Sequence, residues 1–229
     1  MARKPVLLFL AVAFLVGLAA LPIWAARNAQ LERRHFRTVR EGILYRSGQM
    51  TLDGLARSIH DHGIRSVVTF RASNRPGKPD PDAGEEAWCK QEGIRYLRLP
   101  PLHWQGEDSA SPPVEENLKK YLQFLSDASN YPILIHCFAG IHRTGAYCAV
   151  YRMEVEGWER NRAMEEMRAC GYVTLEENED IFSYLRNYTP GRLKTGLPTL
   201  QTGVSPIFDV GRLVPAGAGK VGIANWRKP

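Results

Sequence analysis

One junction constrains this chain more than any other stretch: the apolar run Tyr131-Pro132-Ile133-Leu134-Ile135 passes into His136-Cys137-Phe138-Ala139-Gly140-Ile141-His142-Arg143-Thr144-Gly145 and then into helix-forming sequence. An uninterrupted apolar run bounded by turn signals reads as a strand buried on both faces. A buried strand followed by a short glycine-bearing loop and a helix is the unit from which α/β domains are built. Such a strand delivers His136 and Cys137 to its C-terminal end, the edge of an open α/β sheet where ligands bind. Residues 138–142 then lie at the mouth of a helix beginning near Arg143. Loop N–H groups and the helix dipole converge there and form a cradle of phosphate size.

Within that cradle each residue type has a task. Dipoles around Cys137, together with Arg143, favour the thiolate, which is the nucleophilic form. Arg143 offers a planar fork that holds two oxygens of one phosphate and follows the charge as it shifts. Gly140 and Gly145 relieve crowding where the backbone must curve around an anion. Thr144 can hydrogen-bond the cysteine sulfur and help it leave again as thiolate.

Around this junction, residues 42–188 alternate β-rich runs with helical periods, the pattern of an α/β domain with helices packed on a central sheet. Strands are expected at 43–46, 65–71, 94–99 and 133–137. Helices are expected at 52–62, 84–92 and 114–125, the first two ending at Gly63 and Gly93, and beyond the junction at 144–156, 159–169 and 175–187. The turn-rich loop 74–82 reads as a connector that could shape substrate entry, and Arg71, at a strand end, as a surface arginine that could reach the pocket rim. Residues 189–229, rich in Gly, Pro and Thr and without a sustained period, read as a loosely ordered tail. Gly211, Gly217, Gly219 and Lys220 within it make no nucleotide fingerprint, because no strand and helix flank them.

At 229 residues the chain holds one domain of ordinary size plus extensions. A net charge of +6 favours anionic partners without choosing among them. The arginines are spread along the chain with no basic run interleaved with aromatics, which argues against nucleic acid. Cys89, Cys137, Cys148 and Cys170 show neither metal spacing nor the density of a disulfide scaffold, so a reducing compartment is expected. Residues 6–26 are apolar and uncharged, about 20 residues, the length of a membrane-crossing helix. A signal peptide is the alternative, but its apolar core is shorter, roughly 7–15 residues. Arg3 and Lys4 before the span are outnumbered by Arg27, Arg33, Arg34, Arg37 and Arg40 behind it, which predicts a single-pass anchor with a cytoplasmic domain.

The segment His136-Cys137-x-x-Gly140-x-x-Arg143-Thr144-Gly145 resembles the signature of the protein tyrosine and dual-specificity phosphatases. Leu44-Tyr45-Arg46-Ser47-Gly48-Gln49 and Gly63-Ile64-Arg65-Ser66-Val67-Val68 are similar to the start of the small atypical dual-specificity members. The resemblance covers residues 42–188. It implies a compact α/β fold with a four- to five-stranded, mostly parallel sheet flanked by helices, catalysis through a phosphocysteine, no cofactor and no metal. It also implies substrate contact by residues 136–145, the loop residues Phe138, Ala139, Ile141 and His142 included, with His136 orienting the loop. A general acid is implied on a mobile loop about 30 residues before the cysteine, where Asp108 stands, with Glu107 and His103 as substitutes.

The implied substrates are phosphotyrosine or phosphoserine/threonine proteins, or a small phosphorylated molecule. Phe138 and Ile141 in place of lysine weaken the case for a highly charged polyphosphate, whereas His142-Arg143-Thr144-Gly145 resembles members acting on inositol pyrophosphates. A pseudophosphatase that only binds phosphoryl groups is disfavoured by the presence of both Cys137 and Arg143. A rhodanese-like sulfur transferase is disfavoured by the Arg143-Thr144-Gly145 ending.

Overall fold

The computed structural model describes residues 3–73, 75–107 and 111–193. Five strands form one mixed sheet. β1 (Arg37–Arg40) pairs antiparallel with β2 (Leu44–Ser47), and β2 runs parallel to β5 (Ile133–His136). On its other side β5 is parallel to β3 (Ser66–Thr69), which in turn pairs with β4 (Arg95–Arg98). The order is β1-β2-β5-β3-β4, so the apolar run of the junction is the central strand.

Period-two alternation explains why that strand had to be apolar throughout. Leu134 faces a layer made with Leu55 of α2 (Leu52–His62) and Cys89 of α3 (Ala83–Gln91). Ile133 and Ile135 face the opposite layer, built from α4 (Val114–Ser126), α5 (His142–Glu154), α6 (Arg160–Ala169) and α7 (Glu179–Arg186). All three residues are fully buried.

Local signals set most boundaries. Thr51 caps α2 by accepting from the Gly54 N–H, and Gly63 ends it in the left-handed region at φ 62. β1 had no counterpart among the expected strands, because only Val39 of its four residues is buried. The last expected helix starts late. Leu175–Glu177 form a 3-10 turn around the buried Leu175, and α7 begins at Glu179.

Loop 74–82 is more than a connector. Its last residue, Asp82, is buried, accepts from Thr69 Oγ1 at 2.6 Å and pairs with Arg98. Burial drives the Asp82 carboxyl upward, but those hydrogen bonds outweigh it and hold the group below its usual range. The start of the C-terminal segment is packed as well. Leu193 is buried, and the Gly191 N–H donates to the Glu154 carboxylate. The remainder of the expected tail, 194–229, lies outside the described residues.

The N-terminal apolar stretch does form a helix, α1 (Arg3–Glu32), but it is not the helix that was expected. It contains Pro22 and runs on through Arg27, Asn28 and Gln30 to Glu32, whose backbone abuts Gly54 of α2. Among the described residues no helix is long and apolar enough to cross a membrane. The expectation of a transmembrane anchor, and of a membrane-held protein with a cytoplasmic domain, is corrected accordingly.

Candidate active site

Cys137 lies at the foot of the loop between β5 and α5, nearly buried at 5% exposure. Its Sγ accepts from the Gly140 N–H at 3.3 Å. The loop carbonyls are held from outside: the Gln49 N–H donates to Phe138 O at 3.0 Å, His35 Nδ1 reaches Ala139 O at 2.7 Å, and Arg46 Nη2 donates to Gly140 O at 2.9 Å. A planar trans peptide sets each N–H opposite the preceding carbonyl. With three successive carbonyls held outward, the amides of Ala139, Gly140 and Ile141 turn toward the sulfur side. Helix α5 begins at His142 without a side-chain cap, leaving first-turn N–H groups to an incoming anion.

Gly140 is required by two constraints together. Its φ is +76, and a Cβ there would stand 2.4 Å from Gly48 N and 2.5 Å from the Ser47 carbonyl group. The end of β2 therefore backs directly onto the loop. Arg143 projects from the first turn of α5, and its Nη1 donates to Phe70 O at 2.8 Å, which sets the plane of the guanidinium. It borders a cavity of about 140 Å³ lined also by Leu99, Trp104, Tyr147 and Ile181.

The other expected site residues are distributed as follows. His136 is buried beneath the loop with Nε2 2.7 Å from Glu85 Oε1, and Glu85 also accepts from the Tyr96 hydroxyl at 2.9 Å and from Gln49. Asp82, Glu85 and His136 bring potential metal-ligand atoms within 4.8 Å of one another. Donors from Thr69, Arg98, Tyr96 and Gln49 already engage the two carboxylates, which makes this a hydrogen-bonded ion network. Thr144 is fully buried, and its Oγ1 has no partner among the described residues. Gly145 packs within reach of Arg46 and Met167.

Phe138 is exposed at 56%, with Arg34 4.0 Å and Arg71 5.3 Å from its ring centroid. Arg71, expected at the surface within reach of the pocket rim, stands at the mouth of the loop, donating to Gln49 Oε1 at 2.7 Å. Ile141 is half-buried against Gly171. The ring of His142 lies 4.4 Å from that of Tyr172. Burial against that neighbour, aided by the charge of Arg143, holds His142 below the usual histidine range.

Asp108 lies outside the described residues. His103 and Glu107 are exposed, and neither side chain hydrogen-bonds to the Cys137 loop among the described residues. The stretch that carries them is pinned by Trp104, buried between Tyr147 and Tyr184 at centroid distances of 5.7 and 5.2 Å. The sequence reading missed Arg34, His35, Arg46, Gln49 and Glu85. Only Arg46 and Gln49 carried a signal, as members of the stretch 44–49.

Residues 18–182 match the family described as DSP-PTPase phosphatase fused to NAD+ kinase. The chain belongs to this dual-specificity phosphatase family. It is 34% identical over 123 residues to the dual specificity protein phosphatase TpbA of Pseudomonas aeruginosa, covering 54% of this chain and 49% of that protein. It is 30% identical over 155 residues to the inositol diphosphatase DSP5 of Arabidopsis thaliana, covering 67% of this chain and 70% of the relative. The crystal structure of P. aeruginosa TpbA superposes with a TM-score of 0.51 at 26% identity, over 71% of this chain and 89% of that one. The catalytic domain of the PP-IP phosphatase SIW14 from S. cerevisiae gives 0.53 at 21% identity, a likeness of fold, over 70% and 88%. The chain spans about half the length of TpbA, the curated relative it matches at highest identity among these. This phosphatase-family chain sets its cysteine loop at the C-terminal end of the central strand.

Proposed function

We propose that this chain hydrolyses phosphate monoesters through a phosphocysteine, with phosphorylated proteins as its principal substrates. The observation that carries the reading is the hydrogen bond from the Gly140 N–H to Cys137 Sγ, inside a loop whose Phe138, Ala139 and Gly140 carbonyls are held from outside. The sulfur thus lies where an anion is stabilised. In the first step the Cys137 thiolate attacks phosphorus, an S–P bond forms and the P–O bond to the leaving group breaks. Asp108 gives its proton to the leaving oxygen. Arg143, set by Phe70, grips two equatorial oxygens, and the inward amides take the third. In the second step water attacks phosphorus and passes a proton to the Asp108 carboxylate. The S–P bond breaks, phosphate departs, and the thiolate returns, received by the Gly140 N–H.

A second reading, an inositol phosphate or inositol diphosphate substrate, is favoured by one observation. Arg34 and Arg71 flank the exposed Phe138 at the mouth, and neither pairs with a carboxylate among the described residues. Two guanidiniums without a carboxylate partner beside the cradle suit a substrate carrying more than one phosphate.

Turnover of an aryl phosphate tests the chemistry. Cys137→Ser is expected to abolish it, and Asp108→Asn to lower kcat by about 10²-fold or more. Equal activity in wild type and Cys137→Ser would sink the mechanism. Run in parallel on phosphopeptides and inositol phosphates, the same assay ranks the two substrate classes by kcat/KM.

A further inference from the structure

Arg46 is the least expected residue of the site. It sits on β2 beside Ile135 of β5, with 2% of its surface exposed. An arginine keeps its charge in a protein, and a buried charge is tolerated only when something balances it. Its one hydrogen bond runs from Nη2 to the carbonyl of Gly140, and Nη1 has no partner among the described residues.

No carboxylate among the described residues pairs with it. Glu166, on the helix packed against α5, is engaged by Arg152 through Nε and Nη2. The other groups around Arg46 add no negative charge. They are Gly145 in the first turn of α5, whose built Cβ lies 3.6 Å from Arg46 Nη2 and 3.6 Å from Met167, and the thiol of Cys148, which burial pushes up to about 11. The first turn of α5 is itself the positive end of a helix. A buried cation therefore lies behind the loop with its only close anionic counterpart on the loop's other side, where Cys137 and a bound phosphate belong.

We infer that Arg46 is a positioning residue whose buried guanidinium serves as the fixed counter-charge of the anion in the loop while holding the Gly140 carbonyl outward. The inference rests on the phosphate-site reading above. It makes Arg46 a cost to the anion-free fold that anion binding offsets, the reverse of an ordinary structural arginine.

Melting temperature and calorimetric tungstate binding test it in the full chain, alongside aryl phosphate turnover. In Arg46→Met the anion-free melting temperature is expected to be no lower than in wild type, with the tungstate Kd raised at least tenfold. Arg46→Lys, which keeps the charge, is expected to stay within threefold of the wild-type Kd. A tungstate Kd within threefold of wild type in Arg46→Met overturns the inference. So does a lower anion-free melting temperature in that variant, failure to fold included, or a loss in Arg46→Lys equal to that in Arg46→Met. If wild type binds tungstate but turns over no phosphate ester, the hydrolase reading fails and this one stands. If wild type is active and Arg46→Met binds like wild type, this one fails alone.

Discussion

Replacing Gly140 by alanine separates what the loop demands from what any left-handed glycine demands. Gly63, the C-cap of α2, has φ 62 and open space around a Cβ. Gly63→Ala therefore pays only the left-handed penalty, about 1–2 kcal/mol. Gly140 has a similar φ of 76, but its Cβ would lie 2.4–2.5 Å from backbone atoms of Ser47 and Gly48. Backbone at the end of an interior strand cannot rotate aside as a flexible side chain can. The overlap adds about 1–3 kcal/mol, the range for overpacked interiors, giving about 2–5 kcal/mol in all. Relief of the overlap must move the loop away from β2, and with it the Gly140 N–H that faces Cys137 Sγ. A displacement approaching 1 Å costs about 10²-fold in turnover. Urea unfolding and aryl phosphate kinetics of both variants are the measurements. Equal stability losses in the two, or wild-type turnover in Gly140→Ala, would refute the claim that the strand end fixes the loop.

Two further perturbations address the buried network and the loop's histidine. Glu85→Ala removes an acceptor shared by His136, Tyr96 and Gln49 in a buried site, so a loss of about 3–5 kcal/mol is expected in urea unfolding, and a loss under 1 kcal/mol would contradict the pairing. His142 is held below the usual histidine range, so the unfolded chain takes up its proton first as pH falls. Stability is then complete above about pH 6.5 and declines below it. His142→Gln is expected to flatten that decline between pH 7.5 and 5, and an unchanged slope would place the titration elsewhere.

The parts of this fold that were legible in the sequence are those where a local period and a burial demand coincide. The central strand was readable because both of its faces are covered, and α2 because its helical spacing stops at Gly63. β1 was not readable: an edge strand that buries one residue in four leaves almost no period. Leu175 is buried for its own packing yet mimics a helix start. The N-terminal apolar stretch was readable as a helix, but its length and its contact with Gly54 are set by residues 27–32, which an apolar window ignores. Cys137 and Arg143 declared themselves by spacing within one loop. The groups that shape that loop from outside did not, because no local period links Arg46 to Gly140, His35 to Ala139 or Glu85 to His136, pairs 94, 104 and 51 positions apart. Sequence reasoning also sends charged residues to the surface by default, since buried ones are rare. A site that gathers anions is where that default fails: the ligand supplies the missing partner, and the cation it pairs with can then be buried. Arg46 on β2, Asp82 just ahead of α3 and Glu85 within α3 are buried charges clustered about one loop end. In this chain the misassigned charges thus point to the same place as the correctly assigned cysteine.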